Sequence, residues 1–408
     1  MLELRNDKKI CVVGLGYIGL PTAALLANSG YEVHGVDINQ YAVDTINQGK
    51  IHIIEPDLDA YVYRAVSANR LKADIKPTQA DVFILAVPTP FHHNNDSNLT
   101  PKPNIDYVIN ATKSIAPFVK DGDIVILEST SPVGTTDKVA EILKQEGIDI
   151  SKIYIAHCPE RVLPGYIIKE LVENDRIVGG ITSEATQKVT EFYKTFVKGQ
   201  ILETDAKTAE MAKLTENSFR DVNIAFANEL SMICDNLGID VWKLIELANH
   251  HPRVNILSPG CGVGGHCIAV DPWFIVDSDR ENSRLIHTAR VVNDSKPDYV
   301  INKIKNAIKD IKNPKIGCLG LAFKPDIDDL RESPALQIVQ SLSQEPNCQI
   351  YAVEPNIEKL PSSFNDNVIL ASLEDALQNC DIVAVLVKHR EFIGLSGDKI
   401  LDFVNAIN

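Results

Sequence analysis

The sequence has no CxxC pair, no Cys/His cluster at zinc spacing, no basic excess, and little long apolar sequence outside one stretch near its start. Each absence excludes something. The eight cysteines (Cys11, Cys158, Cys234, Cys261, Cys267, Cys318, Cys348 and Cys380) are scattered over 408 residues. They read as reduced, mostly buried thiols of a cytosolic protein, not as a zinc site or a disulfide framework. With 40 Lys+Arg against 55 Asp+Glu and a net charge of −15, the chain lacks the cationic surface that nucleic acid or an anionic lipid surface would require. An anionic ligand must therefore meet local positive potential, from a helix N-terminus or a few placed Lys and Arg. The apolar stretch KICVVGLGYIGLPTAALL (9–26) follows basic residues as a signal peptide or a membrane span would. Gly14, Gly16, Gly19 and Pro21 break it at the spacing of a strand, a turn and a helix instead. The expectation is a soluble, cytoplasmic protein of two or three domains, with no membrane or nucleic-acid partner.

Short β-branched runs alternate with helical stretches in the first half: KICVVGLG (9–16), EVHGVD (32–37), DVFILAVP (81–88) and DIVILEST (123–130) read as strands of a doubly wound parallel sheet. The first helical stretch should stop at Gly30. FHHNNDSNLTPKPN (91–104) is a surface loop, with His92 and His93 solvated and no metal expected. From Asp205 about thirty residues run without proline to Gly238 and predict one long helix. A shorter one follows around 241–249, and the charge-rich stretch 277–298 belongs to further helices. KIGCLGLAF (315–323), QIYAVEP (349–355) and DIVAVLV (381–387) resume the strand rhythm. Gly317, Gly320 and Ala322 fall inside the first of these, which argues against a dinucleotide there. The predicted fold is α/β: two Rossmann-like doubly wound domains (1–200 and 301–408) joined by a central helical domain (201–300) with a long spine helix.

Three clusters carry chemistry. GLGYIG (14–19) is GxGxxG, placed after an apolar strand and opening a helix, with Asp37 ending the next strand. Gly14 makes the turn, Gly16 admits a pyrophosphate, and Gly19 brings helix against strand. Asp37 would bind the ribose hydroxyls and repel a 2′-phosphate, which favours NAD over NADP. PGCGVGGHCIAVDPW (259–273) packs glycines around Cys267, where backbone amides could lower a thiol pKa and cradle an oxyanion. Asp271, four residues on, could share its side of a helical turn. Lys213 and Asn217, at i,i+4 on the long helix, share one face and suit a developing negative oxygen.

Taken in order, VVGLGYIGLP, AVPTP (86–90), ESTSPVGTT (128–136), KLTENSFRDVNIAFANE (213–229), GVGGHC and GLAFKPDIDDLRESP (320–334) resemble the UDP-glucose/GDP-mannose dehydrogenase family over essentially the whole chain. IIEPDLD (53–59), CPERVLPG (158–165), HPRVNI (251–256) and GHCIAVDPWF are similar to the branch that oxidises UDP-N-acetyl-D-mannosamine.

The resemblance implies that a C6 alcohol is oxidised twice with hydride passing to NAD each time. A cysteine holds the aldehyde as a thiohemiacetal and then as a thioester, which water hydrolyses. It implies Cys267 as nucleophile, Lys213 and Asn217 as oxyanion stabilisers, Glu160 and Thr130 as holders of the water, and Asp271 as support for proton transfer. Gly14, Gly16, Tyr17, Ile18, Gly19, Asp37, Thr89, Thr130 and Arg331 fall at cofactor positions. Glu160, Arg161, Val162, Lys213, Asn217, Gly264 and Lys324 fall at positions that meet a UDP-sugar. Arg253 is similar to an arginine that reaches the substrate across a dimer interface, and a homodimer through the central helices is expected. Pro164 and Val270 stand where the glucose branch has glutamate and lysine, which disfavours glucose as substrate; the same chemistry on UDP-N-acetylglucosamine or UDP-glucose is the alternative, and a non-catalytic nucleotide-binding regulator the alternative of another class. The closing LDFVNAIN lacks the family's glycine-containing turn.

Overall fold

The structure is a computed structural model that describes residues 8–92, 100–265 and 267–407; His93, expected to be solvated, lies outside them. By compactness the chain divides into two units, residues up to 215 with 273–278, and residues 216–272 with 279–408. Among the described residues no helix is long and apolar enough to cross a membrane.

In the first unit, eight strands form one sheet: β1 (Lys9–Val13), β2 (Glu32–Val36), β3 (Leu71–Asp74), β4 (Val82–Leu85), β5 (Ile124–Leu127), β6 (Tyr154–His157), β7 (Arg176–Gly180) and β8 (Ile201–Asp205). Their order is β3-β2-β1-β4-β5-β6-β7-β8. The first six are parallel, β7 turns antiparallel to β6, and β8 runs parallel to β7. Every residue of β4 and β5 is buried, because helices cover both faces of a parallel sheet. One face packs on the helices Gly19–Asn28 and Leu58–Ser67. The other packs on Asp106–Ile115 and Thr135–Gln145. The first helix ends with Gly30 in the left-handed region at φ +101°, as its sequence predicts.

The second unit contains a five-stranded parallel sheet: β9 (Lys315–Leu319), β10 (Gln349–Val353), β11 (Val368–Leu370), β12 (Ile382–Val385) and β13 (Ile400–Asp402). Its order, β11-β10-β9-β12-β13, repeats that of β3-β2-β1-β4-β5. The strand predicted over 315–323 stops at Leu319, so Gly320 and Ala322 belong to the loop that follows. The amide of Gly320 donates to the Val353 carbonyl at 2.8 Å, as Gly14 donates to Val36 at 2.8 Å.

The spine helix, Ala206–Leu237, has 32 residues and a length of about 48 Å. Val241–Asn249 follows, opened by Asp240, whose side chain caps the Trp242 and Lys243 amides. The charge-rich stretch forms the end of helix Asp271–Ser278 and the start of helix Arg284–Ile308. The spine helix and Arg284–Ile308 are joined by buried polar groups. Arg290 Nη1 meets Asp221 Oδ1 at 2.5 Å, and Asn293 Nδ2 donates to the same oxygen at 2.8 Å. Pairing these charges is what makes their burial affordable.

Candidate active site

The glycine loop after β1 separates three requirements. At Gly14, φ is +94° and an added Cβ would meet the Ala86 carbonyl oxygen at 2.5 Å. At Gly19 it would lie 1.7 Å from the Gly14 oxygen. Both glycines are required by the protein itself. Gly16 is exposed and a Cβ there would meet nothing within 4 Å, so its surroundings leave open the approach that a pyrophosphate needs. The helix that follows has no side-chain cap and no acid in its first turn, so no side chain of its own first turn competes for its N-terminal amides. Asp37 does two jobs in this loop: Oδ2 accepts from the Leu15 amide and Oδ1 from the Asn39 amide, both at 2.9 Å. Tyr17 and Ile18 are half-buried beside it. These features fit a dinucleotide, with NAD the form that Asp37 favours.

Beyond the adjacent strand ends, Thr89 Oγ1 donates to the Thr130 carbonyl at 2.5 Å, and Ser129 Oγ to the Val87 carbonyl at 2.7 Å. The two predicted threonines are thus brought together. Glu160 is buried, with Oε1 accepting from the Arg161 amide at 2.8 Å and Oε2 lying 3.2 Å from Arg176 Nη2. Arg161 Nη1 donates to the Asp175 carbonyl at 3.1 Å. Val162 packs on the cluster of Leu25, Ile167 and Leu171, which explains an apolar residue there.

Two residues that the sequence reading left without a role hold this framework. Glu55 accepts from the amides of Gly165 and Ile167 at 2.8 and 2.9 Å. It thereby ties IIEPDLD to CPERVLPG. Glu210, one turn before the half-buried Lys213, accepts from the Gly134 and Thr136 amides at 2.6 and 2.7 Å and from Thr136 Oγ1 at 2.6 Å. It supplies the cap that helix Thr135–Gln145 lacks locally. Burial raises the Glu210 carboxyl, against these hydrogen bonds.

In the second unit, the carbonyl of Cys267 accepts from the Val270 and Asp271 amides at 3.1 and 2.8 Å. This is the helical turn the spacing predicts. Asp271 is buried, and Asn217 Nδ2 donates to its Oδ2 at 2.5 Å. The loop is anchored upstream by Gly260, whose amide donates to Asn228 Oδ1 at 2.9 Å. A Cβ on Gly264 would strike the Glu332 carbonyl oxygen at 2.4 Å, and one on Gly265 would lie 3.0 Å from the Phe323 ring. The glycine density therefore has a packing cause within this unit.

Of the eight cysteines, all described, seven are buried and Cys267 is exposed. Burial pushes the thiols of Cys11 and Cys261 up to about 12 and that of Cys158 to about 11. A thiol so raised is not a nucleophile at neutral pH.

Lys324 is half-buried in the loop after β9. Glu354 holds that loop as Asp37 holds its counterpart, accepting from the Leu321 and Ala322 amides at 2.8 and 3.0 Å. Unlike Asp37 it is buried and bonded to His389 Nε2 at 3.0 Å. Burial works to raise its carboxyl, but His389, the Leu321 amide and Asn356 outweigh it and hold it at about 2. A carboxylate so committed does not match a ribose site. Arg331 forms a two-pronged pair with Asp329, at 2.8 and 2.6 Å. Arg253 is exposed, and so is His92.

Three models of one family match the chain in order: the NAD binding domain of the UDP-glucose/GDP-mannose dehydrogenase family at residues 8–197, its central domain at 207–295, and its UDP binding domain at 317–407. The chain belongs to the UDP-glucose/GDP-mannose dehydrogenase family. It is 59% identical to a UDP-N-acetyl-D-mannosamine dehydrogenase of Campylobacter jejuni, over 98% of this chain and 100% of that one. It is 55% identical to an NDP-N-acetyl-D-galactosaminuronic acid dehydrogenase of Ralstonia nicotianae, over 96% and 93%. A solved UDP-N-acetyl-mannosamine dehydrogenase from S. aureus superimposes with a TM-score of 0.87 at 46% identity, covering 98% of this chain and 96% of that one. The chain is thus an NAD-dependent nucleotide-sugar dehydrogenase in fold and family.

Proposed function

We propose that this dehydrogenase oxidises the C6 hydroxyl of UDP-N-acetyl-D-mannosamine by four electrons, giving UDP-N-acetyl-D-mannosaminuronate for surface polysaccharide. The observation that carries the chemistry is the contrast among the cysteines: Cys267 alone of the eight is exposed, on a turn shared with the buried Asp271–Asn217 pair. NAD, when bound, accepts a hydride at each of the two oxidations. The chain's own groups do the rest. Cys267 Sγ adds to the aldehyde, keeps it from escaping, and holds the acyl group after the second oxidation. Lys213 and the Asn217 amide stabilise the oxygen that becomes negative in each tetrahedral species. Glu160, with Thr130, holds and deprotonates the water that frees the acid, and Asp271 supports proton movement at the sulfur. Lys324, Arg161, Val162, Gly264 and Arg253 bind the sugar nucleotide, and Arg331 the cofactor.

The sugar assignment rests on the names of relatives at up to 59% identity. A second reading, an N-acetylgalactosamine nucleotide, is favoured by the 55% identity to the Ralstonia enzyme. A panel of UDP-N-acetylmannosamine, UDP-N-acetylgalactosamine, UDP-N-acetylglucosamine and UDP-glucose with NAD, with the acid product identified, decides between them. Highest kcat/KM on the mannosamine sugar is expected.

We also read the spine helix as a homodimer interface. Phe219, Phe226 and Ile233, spaced by seven, and Leu237 are 69%, 52%, 46% and 67% exposed. A stripe of that spacing is what a partner helix covers. The three functional divisions are 1–200 for NAD, 201–300 for the helices and cysteine loop, and 301–408 for the UDP-sugar. Reduced thiols and NAD dependence support a cytoplasmic location.

A further inference from the structure

Behind Glu160 lies a buried cluster that the chemistry above leaves unused. Arg176 on β7 is 4% exposed. Its Nη2 stands 3.2 Å from Glu160 Oε2, and its Nη1 stands 4.0 Å from Glu128 Oε1 and 3.7 Å from Cys158 Sγ. Nη2 also donates to the Leu171 carbonyl at 3.3 Å, and the guanidinium lies 4.8 Å over the Tyr193 ring. The Tyr193 hydroxyl donates to Glu128 Oε1 at 2.8 Å. Glu128, Tyr193 and Cys158 are 1%, 0% and 0% exposed. Two carboxylates therefore share one guanidinium in a dry interior, where the cluster resists a second negative charge. Glu128 directly follows β5 and precedes Ser129 and Thr130, so the cluster also underlies the loop that carries Thr130.

We propose that Arg176 and Glu128 are positioning residues for Glu160: Arg176 fixes the direction of its carboxylate, and Glu128, by competing for the same guanidinium, sets how firmly that carboxylate is held. The inference rests on the reading of Glu160 as the base in thioester hydrolysis. In that step a water oxygen bonds to the acyl carbon and the carbon–sulfur bond breaks. Sulfur leaves as the thiolate of Cys267, one water proton passes to Glu160, and no electrons are exchanged. The groups that face Glu160 and the guanidinium are Glu128 after β5, Cys158 after β6, Tyr193 from helix Ser183–Tyr193, and the adjacent Arg161. Burial keeps the Cys158 thiol up at about 11 and the Tyr193 hydroxyl well above its ordinary value, so both stay neutral near pH 7. Glu128, raised to about 7 by burial first, with Glu160 adding to the rise and Arg176, Tyr193 and Thr22 opposing it, is the group whose charge can vary there.

The test is the pH profile of kcat for the full-length enzyme with NAD and its best sugar substrate, comparing wild type, E128Q, R176Q and E160Q. In E128Q no second carboxylate competes for Arg176, so the change in kcat near pH 7 that follows the charge of Glu128 is lost, with the KM for NAD unchanged. In R176Q, Glu160 loses the cation that directs its carboxylate, so kcat falls while the KM for NAD stays unchanged. Since R176Q strands two buried carboxylates and can fail to fold, the near-isosteric E128Q decides. An E128Q profile that superimposes on wild type while E160Q is impaired overturns the inference alone. Wild-type turnover by E160Q removes the reading of Glu160 and the inference with it. A change in melting temperature with no change in the shape of the pH profile reduces the cluster to a structural one and overturns the proposal.

Discussion

The side-chain amide of Asn217 donates to Oδ2 of Asp271 at 2.5 Å, and the Asp271 amide donates to the carbonyl of Cys267 at 2.8 Å. One chain of contacts thus runs from the spine helix to the candidate nucleophile's own turn. Asn217→Ala removes a buried donor from Asp271 and, in the proposed mechanism, an oxyanion donor. A fall in kcat of about 10²–10³-fold is expected, with about 1–3 kcal/mol of lost stability. Steady-state kinetics beside denaturant unfolding separate the two, and an unchanged kcat would remove Asn217 from the chemistry.

Cys267→Ser keeps the turn and removes the exposed thiol. Net acid formation should be lost while NAD still binds, as read by NAD titration and by product analysis. Wild-type turnover would show that the aldehyde is handled without a covalent hold on Cys267.

Asp37 braces the glycine loop through the Leu15 amide and is the acceptor proposed for the ribose hydroxyls. Asp37→Asn should raise the KM for NAD by at least about tenfold, equivalent to about 1.4 kcal/mol. It should also narrow the preference over NADP, because the repulsion of a 2′-phosphate is gone. Parallel KM measurements with both cofactors check this, and an unchanged ratio would contradict it.

Glu55 ties the loop of Glu160, Arg161 and Val162 through Gly165 and Ile167. Glu55→Ala should raise the KM for the sugar nucleotide and leave that for NAD near wild type. An equal rise in both would point to general loss of structure.

His157 is fully buried, and burial lowers it to about 3 from 6.5, opposed weakly by the nearby Leu127 carbonyl, which favours the protonated ring. Between those values the unfolded chain binds a proton that the folded chain refuses. The stabilising contribution is therefore full above about 6.5 and is lost as pH falls toward 3, with a slope of at most about 1.4 kcal/mol per pH unit. Denaturant unfolding from pH 7 to pH 4 should show this slope in wild type and a shallower one in His157→Leu.

Sequence-local features were legible before the fold. The strand, Gly14–Gly19 turn and helix carry their own period and punctuation, the spine helix has no breaker between Ala206 and Leu237, and Val241–Asn249 is opened by its own Asp240 cap. Cys267 stood out by the glycines around it. What stayed hidden depends on partners far along the chain. Glu210 caps a helix 74 residues upstream and Glu55 meets amides 110 and 112 residues on. Arg176 finds its carboxylates only once β5, β6 and β7 lie side by side. The short strands β3, β11 and β13 carry too few residues for a period, and the Gly320 loop was absorbed into β9 because its residues are apolar.

The central claim is a four-electron oxidation held together by Cys267. Its most direct test is the count of NADH formed per nucleotide sugar consumed, with the product identified. Two NADH and a uronate are predicted for wild type; one NADH with a released aldehyde, or no NADH with any nucleotide sugar, would contradict the account.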